Sequence, residues 1–184
     1  VKTGGEQGIH AVSAAPYGSV SMLPVTYGYL LMLGAEGLKY VTEMAILNAN
    51  YLASSFEKLG FKILFKGKQG RVGHEMIWDC SAFNKEYGIS ELDIAKRLMD
   101  FGFHAPTLSF PVHGTLMVEP TESEPKEELD RFIEALKTIR EEMCEVAEGK
   151  ADKTDNVLKN APHTHKVLTA DEWTHTYPRS KAAY

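Results

Sequence analysis

GFHAPTLSFPVHGTLMVEPTESE, residues 102–124, is the stretch on which the reading of the fold turns. It holds two histidines, three prolines and a short apolar run, Thr115–Val118, that ends at Glu119-Pro120. Proline presets φ where a loop needs a fixed path, and His, Thr and Ser serve loops that handle ligands. A helical period stands on either side. Before it, Ser90 and Asp93 form a capping-box pair, Leu92, Ala95, Leu98 and Met99 give the apolar side, and Gly102 stands where a helix ends. After it, Ser123 is expected to cap a third helix, with Glu124, Glu127 and Glu128 at the positive end of its dipole. Leu129, Phe132, Ile133, Leu136, Ile139, Arg140 and Met143 carry the core face of that helix, and Gly149 stops it. The stretch is therefore a ligand-type loop and a strand set between two helices.

Outward from there, Phe61–Phe65 and Met76–Cys80 read as two strands joined by the basic turn KGKQGRVG, with Met76, Trp78 and Cys80 on one face. Leu38–Leu59 has helical period: Leu38, Val41, Ala45, Asn48, Leu52, Ser55, Phe56 and Leu59 fall on one stripe, and Gly60 follows as a C-terminal cap. The order helix, strand, strand, helix, strand, helix predicts an α/β fold, more narrowly an α+β layer: a small, mainly antiparallel sheet of three or four strands covered by helices. Residues 1–37 read as a lead-in, 38–149 as the small α/β domain with its long linking helix, and 150–184 as a tail wound over a surface and anchored by Leu158, Leu168, Trp173 and Tyr177. In the lead-in, Val25–Leu33 is apolar, with Gly34 and Gly37 following.

The 184 residues are 43% hydrophobic and 24% charged, a globular composition, and the net charge of −5 without a basic stripe argues against nucleic acid. No apolar run approaches the ~20 residues that span a bilayer, and no charged-then-apolar leader opens the chain, so neither a membrane nor secretion is expected. Cys80 and Cys144 read as reduced thiols of a cytosol-like compartment. A first residue other than Met suggests a processed chain or a piece of a longer one.

Few residues offer chemistry. His74-Glu75 lacks the second histidine of a zinc helix, and His163 and His165 have no evident carboxylate partner, so no metal site is expected. There is no nucleophile elbow and no phosphate-cradling glycine loop. Lys39, Lys58, Lys96 and Lys137 lie on solvated helix faces and Lys66, Lys68 and Lys85 in polar turns, none placed for a Schiff base. His104 and Glu119 remain. His104 is either a cap for a helix carbonyl or part of a site wall; Glu119 is either solvated or reaching a partner. Together they describe a binding surface or an active-site wall.

Longer runs add a resemblance. SAAPYGS at 13–19, ILNANYLA at 46–53, GHE at 73–75, AKRLMDFGFHAPTLSFP at 95–111, GTLMVEPTESE at 114–124, NAPH at 160–163, Trp173 and YPRSKAAY at 177–184 resemble the C-terminal part of glycine decarboxylase, the P-protein of the glycine cleavage system. The resemblance implies a fold type I enzyme that uses pyridoxal 5'-phosphate, decarboxylates glycine and passes the aminomethyl group to the lipoyl arm of H-protein, in a homo-oligomer or a two-subunit assembly in a bacterial cytoplasm or mitochondrial matrix. It implies cofactor contacts at Ser13, Gly18 and Ser19, and a substrate channel or partner surface at His74, His104, Thr107, Glu119 and Glu122. The family's cofactor lysine follows a histidine upstream of SAAPYGS, and no such motif occurs here, so no catalytic residue and no activity of its own are expected of this stretch. Val25–Leu33 is then the surface expected to meet the cofactor domain or another copy. The alternative is a stand-alone module that docks a carrier protein. An aminotransferase-type enzyme would want an arginine to grip a carboxylate, and none lies in 102–124.

Overall fold

The computed structural model describes residues 5–8 and 18–183. Its sheet contains β1 (Lys62–Leu64), β2 (Met76–Asp79), β3 (Thr107–Leu108) and β4 (Thr115–Val118), in the order β1-β2-β4-β3. All pairings are antiparallel, with Ile63 opposite Trp78, Trp78 opposite Leu116 and Leu108 opposite Leu116. The four-stranded antiparallel sheet with its helices agrees with the expected α/β layer. The helices are α1 (Leu23–Lys58), α2 (Ser81–Tyr87), α3 (Glu91–Asp100), α4 (Lys126–Ala147), α5 (His165–Leu168) and α6 (Arg179–Ala182). The chain divides into two compact units, Val1–Val41 and Thr42–Tyr184, with the division inside α1.

In the second unit, Leu52 and Phe56 of α1, Met76 and Trp78 of β2, Leu98 of α3, Leu116 of β4 and Leu136 and Ile139 of α4 share one buried cluster. Trp78 is its centre, with ring centroids 5.4 Å from Phe56 and 4.5 Å from Phe61. Each such side chain contributes about 1.5–3 kcal/mol by leaving water. The Trp78 indole N–H is the one buried side-chain polar atom without a partner among the described residues. Ile77 is buried as well, so β2 is covered on both faces, where alternation alone predicted one.

Three local expectations change. Helix forms from Leu23, ahead of the expected Leu38; only Gly34, at φ 61° and ψ −174°, interrupts it, while Gly37 stays helical. On α3, Leu92 and Met99 are each 48% exposed, and the buried residues are Asp93, Ile94, Ala95, Arg97 and Leu98. Polar partners reached through space set that face, which an apolar period cannot reveal. The capping box itself forms as expected: Asp93 N–H donates to Ser90 Oγ at 3.3 Å and Ser90 N–H to Asp93 Oδ2 at 2.9 Å. The cap of α4 is Pro125, not Ser123, because the Pro125 carbonyl accepts from Glu128 and Leu129 N–H at 3.0 and 3.2 Å. In the segment after Gly149 the expected anchors Leu158 and Tyr177 are buried and Leu168 and Trp173 pack partly buried against the core, and Asn156, Val157, Ala161, His163 and Ala182 are buried with them.

The first unit differs in kind. Val20, Met22, Leu23, Val25, Tyr27, Tyr29, Leu30, Leu31 and Met32 are all exposed. Four successive helical residues, 29–32, point around the whole circumference, so this is not the single apolar stripe of a surface helix.

Candidate functional site

At the end of α3, Phe101 stops the helix and Gly102 takes φ +77°. Gly102 N–H donates to Met99 O at 3.0 Å and Phe103 N–H to Leu98 O at 3.0 Å, a glycine-terminated helix end. The chain then leaves α3 as Phe103–Thr107 and joins the sheet, Thr107 standing opposite Met117. Between this segment, the end of β4 and the start of α4 lies a cleft of about 440 Å³, with His104, Thr107, Glu119, Glu124 and Glu128 as its polar lining and Leu52, Phe103, Leu129 and Phe132 among its apolar residues.

Side chains from the long helices hold the walls. Phe103 meets Phe132 edge to face with centroids 4.9 Å apart, and the Arg131 guanidinium lies 3.8 Å over the Phe103 ring. Arg131 also donates to Phe101 O at 2.7 Å and, through Nε and Nη2, to both oxygens of Glu128 at 2.8 and 2.5 Å. Those bonds hold the Glu128 carboxyl below its ordinary value. Asn48 of α1 donates to Thr121 O at 2.9 Å and to Glu124 O at 3.3 Å, which fixes the loop after β4 even though Thr121 has φ +59°.

The structure brings His104, Thr107 and Glu119 together in this cleft, each exposed. His74 does not line it; its Nε2 is 3.9 Å from both Glu119 Oε1 and Glu75 Oε2, too long for a hydrogen bond. Glu122 is half-buried and also outside the lining. Ser13 lies outside the described residues. Gly18, at φ +92°, and Ser19 are exposed in the first unit, where the Ser19 and Ser21 hydroxyls are 2.7 Å apart. Sequence reasoning missed Asn48, Phe103, Glu124, Glu128 and Arg131 as parts of the site. Only the Glu128–Arg131 pair, three residues apart on a helix, left a readable signal.

With carboxylates and an apolar floor, and no lysine or arginine in the lining, the cleft can accept a neutral or cationic group through the His104 ring, the Thr107 hydroxyl and the Glu119 carboxylate. It does not fit pyridoxal phosphate: a phosphate dianion would face the Glu119 and Glu124 carboxylates beside the Arg131-paired Glu128, and the cofactor aldehyde would find no amine in the lining. The Gly18–Ser21 turn offers hydroxyls and no charge, so by itself it does not fit that group either. Among the described residues, no group of three His, Cys, Asp or Glu side chains is placed to hold a metal. No helix among them is long and apolar enough to cross a membrane.

A second polar cluster lies between α3, α4 and the C-terminal segment. Arg97 Nε and Nη2 donate to Glu142 at 3.0 and 2.7 Å, Nη1 to Asp100 at 3.0 Å and Nη2 to Lys181 O at 2.9 Å. His163, read above as lacking a carboxylate, bonds Asp100 with both its backbone N–H and Nδ1, at 2.6 and 2.7 Å, and its Nε2 meets the Tyr177 hydroxyl at 2.7 Å. Burial pushes the Asp100 carboxyl up, but the bonds from His163 and Arg97 outweigh it and hold it below the usual aspartate range. Burial pushes Glu142 up, against the pull of Arg97, and leaves it above its ordinary value.

A family model described as glycine dehydrogenase, C-terminal domain, matches residues 41–163. Glycine dehydrogenase (decarboxylating) of Flavobacterium johnsoniae is 60% identical over 184 residues, all of this chain and 19% of its own length. The protein of that name from Bacteroides fragilis is 60% identical over 173 residues, 94% of this chain and 18% of the relative. That of Bordetella avium is 55% identical over 183 residues. The chain thus spans under a fifth of the length of these curated relatives.

Proposed function

This chain belongs to the glycine dehydrogenase family, whose C-terminal domain it carries, and we propose that the domain forms one wall of the substrate channel in a complete enzyme of that family. The complete enzyme, of the oxidoreductase class, decarboxylates glycine on pyridoxal 5'-phosphate and delivers the aminomethyl group to the lipoyl arm of H-protein. In this reading the domain is the small domain of a fold type I enzyme, and the 184 residues alone are inactive. The cofactor and the lysine that binds it belong to the large domain. Residues 1–37 lead in from that domain, and the apolar run Val25–Leu33 is the part it covers. Ser13, Gly18 and Ser19 would add neutral donors to a phosphate site whose charge the large domain supplies.

One observation carries the reading: His104, Thr107 and Glu119 line one cleft together with apolar residues, and that lining has no lysine or arginine. Such a surface can orient and shield a ligand whose chemistry is supplied elsewhere. His104 and Thr107 hydrogen-bond the incoming group. Glu119 orders that edge with His74 behind it, and Glu122 acts on the adjoining loop.

Replacing His104 with Ala in a complete family enzyme carrying this chain is expected to lower glycine–bicarbonate exchange or aminomethyl transfer by about 10- to 100-fold, the range lost when a positioning contact goes. Unchanged kinetics would sink the reading. The isolated chain mixed with the cofactor is expected to show no aldimine absorption band.

A further inference from the structure

Asp100 is the last residue of α3, where the helix dipole disfavours a negative charge. The last turn of a helix is also the part that frays most readily. A buried carboxylate there works against its own helix, and its side chain is only 3% exposed. Its partners explain its place. Beside Arg97 of the same helix, they come from His163, whose side chain is 1% exposed and which lies 63 residues away. His163 donates from its backbone N–H to one oxygen and from Nδ1 to the other. With Nδ1 committed to the carboxylate, Nε2 pairs with the Tyr177 hydroxyl at 2.7 Å. Tyr177 is held in turn by the Trp173 indole, which donates to its carbonyl.

Immediately after Asp100 come Phe101, the Gly102 turn, Phe103 and His104. The carbonyl of Leu98 accepts the Phe103 N–H at 3.0 Å, so the path into the cleft depends on the final turn of α3 remaining wound. We propose that His163 is a positioning residue for the cleft: by clamping Asp100 it keeps that turn closed and sets where His104 and Thr107 stand. The C-terminal segment is then a strap whose side-chain contact is read four residues further along, in the cleft wall. The proposal rests on the cleft being the functional wall, but its clamp is measurable without any activity.

The first readout is backbone amide exchange in the whole 184-residue chain. His163→Ala is expected to speed exchange across Gly102–Thr107 by about tenfold or more, as a local opening, with β2 and β4 unchanged. His163→Asn retains a donor placed like Nδ1 and is expected to recover most of that protection. Tyr177→Phe removes only the hydroxyl and is expected to have the same effect in milder form. It also serves as the test should His163→Ala fail to fold. The second readout is glycine–bicarbonate exchange by a complete family enzyme carrying this chain, assayed well below its melting temperature. There, His163→Ala is expected to lower kcat by about tenfold and His163→Asn to restore it, as a displaced wall would. Exchange that rises evenly across every element, or stays unchanged at Gly102–Thr107, overturns the clamp. Local loosening at Gly102–Thr107 with unchanged kcat supports the clamp and instead overturns the reading of the cleft as an active-site wall.

Discussion

Helix α4 carries two glutamate–arginine contacts of similar chemistry and opposite consequence. Near its start, Glu128, which lines the cleft, and Arg131, which backs its wall through Phe103, are 35% and 39% exposed. Near its end, Glu142 and Arg97 are 5% and 2% exposed, and they join α4 to α3. An exposed pair is screened by water and gains little, whereas a buried pair cannot lose one member without stranding the other charge. The comparison separates two roles: the inner cluster holds helices and the C-terminal segment together, and the outer one braces the wall of the cleft beside its exposed polar lining.

The sharpest way to break that contrast is Arg97→Ala. It strands Glu142 and Asp100 in the interior and should cost about 3–5 kcal/mol in urea unfolding. A loss under ~1 kcal/mol, the exposed-pair value, would erase the distinction. Next in size is Asp100→Asn, which keeps the shape but weakens the bonds from His163 and Arg97, at about 1–3 kcal/mol.

That variant also has a pH signature. Because the folded Asp100 carboxyl lies below the ordinary 3.8, its stabilisation is present above that value and is lost as pH falls through the folded one. The acid limb of the stability curve below pH 3.8 should therefore flatten in Asp100→Asn. Glu142 has the opposite sign: raised above the ordinary 4.5, its contribution is full below that value and fades as pH rises through the folded one. An acid limb identical in wild type and Asp100→Asn would remove Asp100 from the account.

Arg131→Ala probes the rim, where loss of the half-exposed pair and of the contact over Phe103 should cost about 0.5–1 kcal/mol by thermal melting. The smallest effect on stability belongs to His104→Ala, within about 0.5 kcal/mol, as for an exposed surface substitution. It is paired with the kinetic loss expected above. A large unfolding cost at His104 would move it from the rim to the framework.

Much of the architecture was legible along the chain because its signals are local. Ser90 and Asp93 are three residues apart, Gly60, Gly102 and Gly149 sit at helix ends with φ of +82°, +77° and +72°, and the hairpin strands stand around a polar turn. The candidate site was legible in part: three of its residues come from one stretch, His104, Thr107 and Glu119, and the structure gathers them. The apolar core face of α4 was legible, since Leu129, Phe132, Leu136, Ile139 and Met143 are buried as their spacing predicts; illegible were the charged members of the buried faces of α3 and α4. Leu92 and Met99 look like core residues yet face solvent, while Arg97 and Glu142 look like surface residues yet lie inside. Pro125 capped α4 in place of Ser123 because a fixed extended backbone served where a hydroxyl was expected.

The sequence by itself determined the capping box of α3 and the glycine ends of the helices, which rest on contacts a few residues apart, the antiparallel hairpin and the family to which the chain belongs. Only the tertiary structure decided which charges are buried and what they bind: Arg97 with Glu142 across 45 residues, and Asp100 with His163 across 63. The reason is physical. Propensity and capping act within a turn of backbone, whereas the partner of a buried ion is chosen by which elements pack against it, and packing brings together residues that no spacing rule connects.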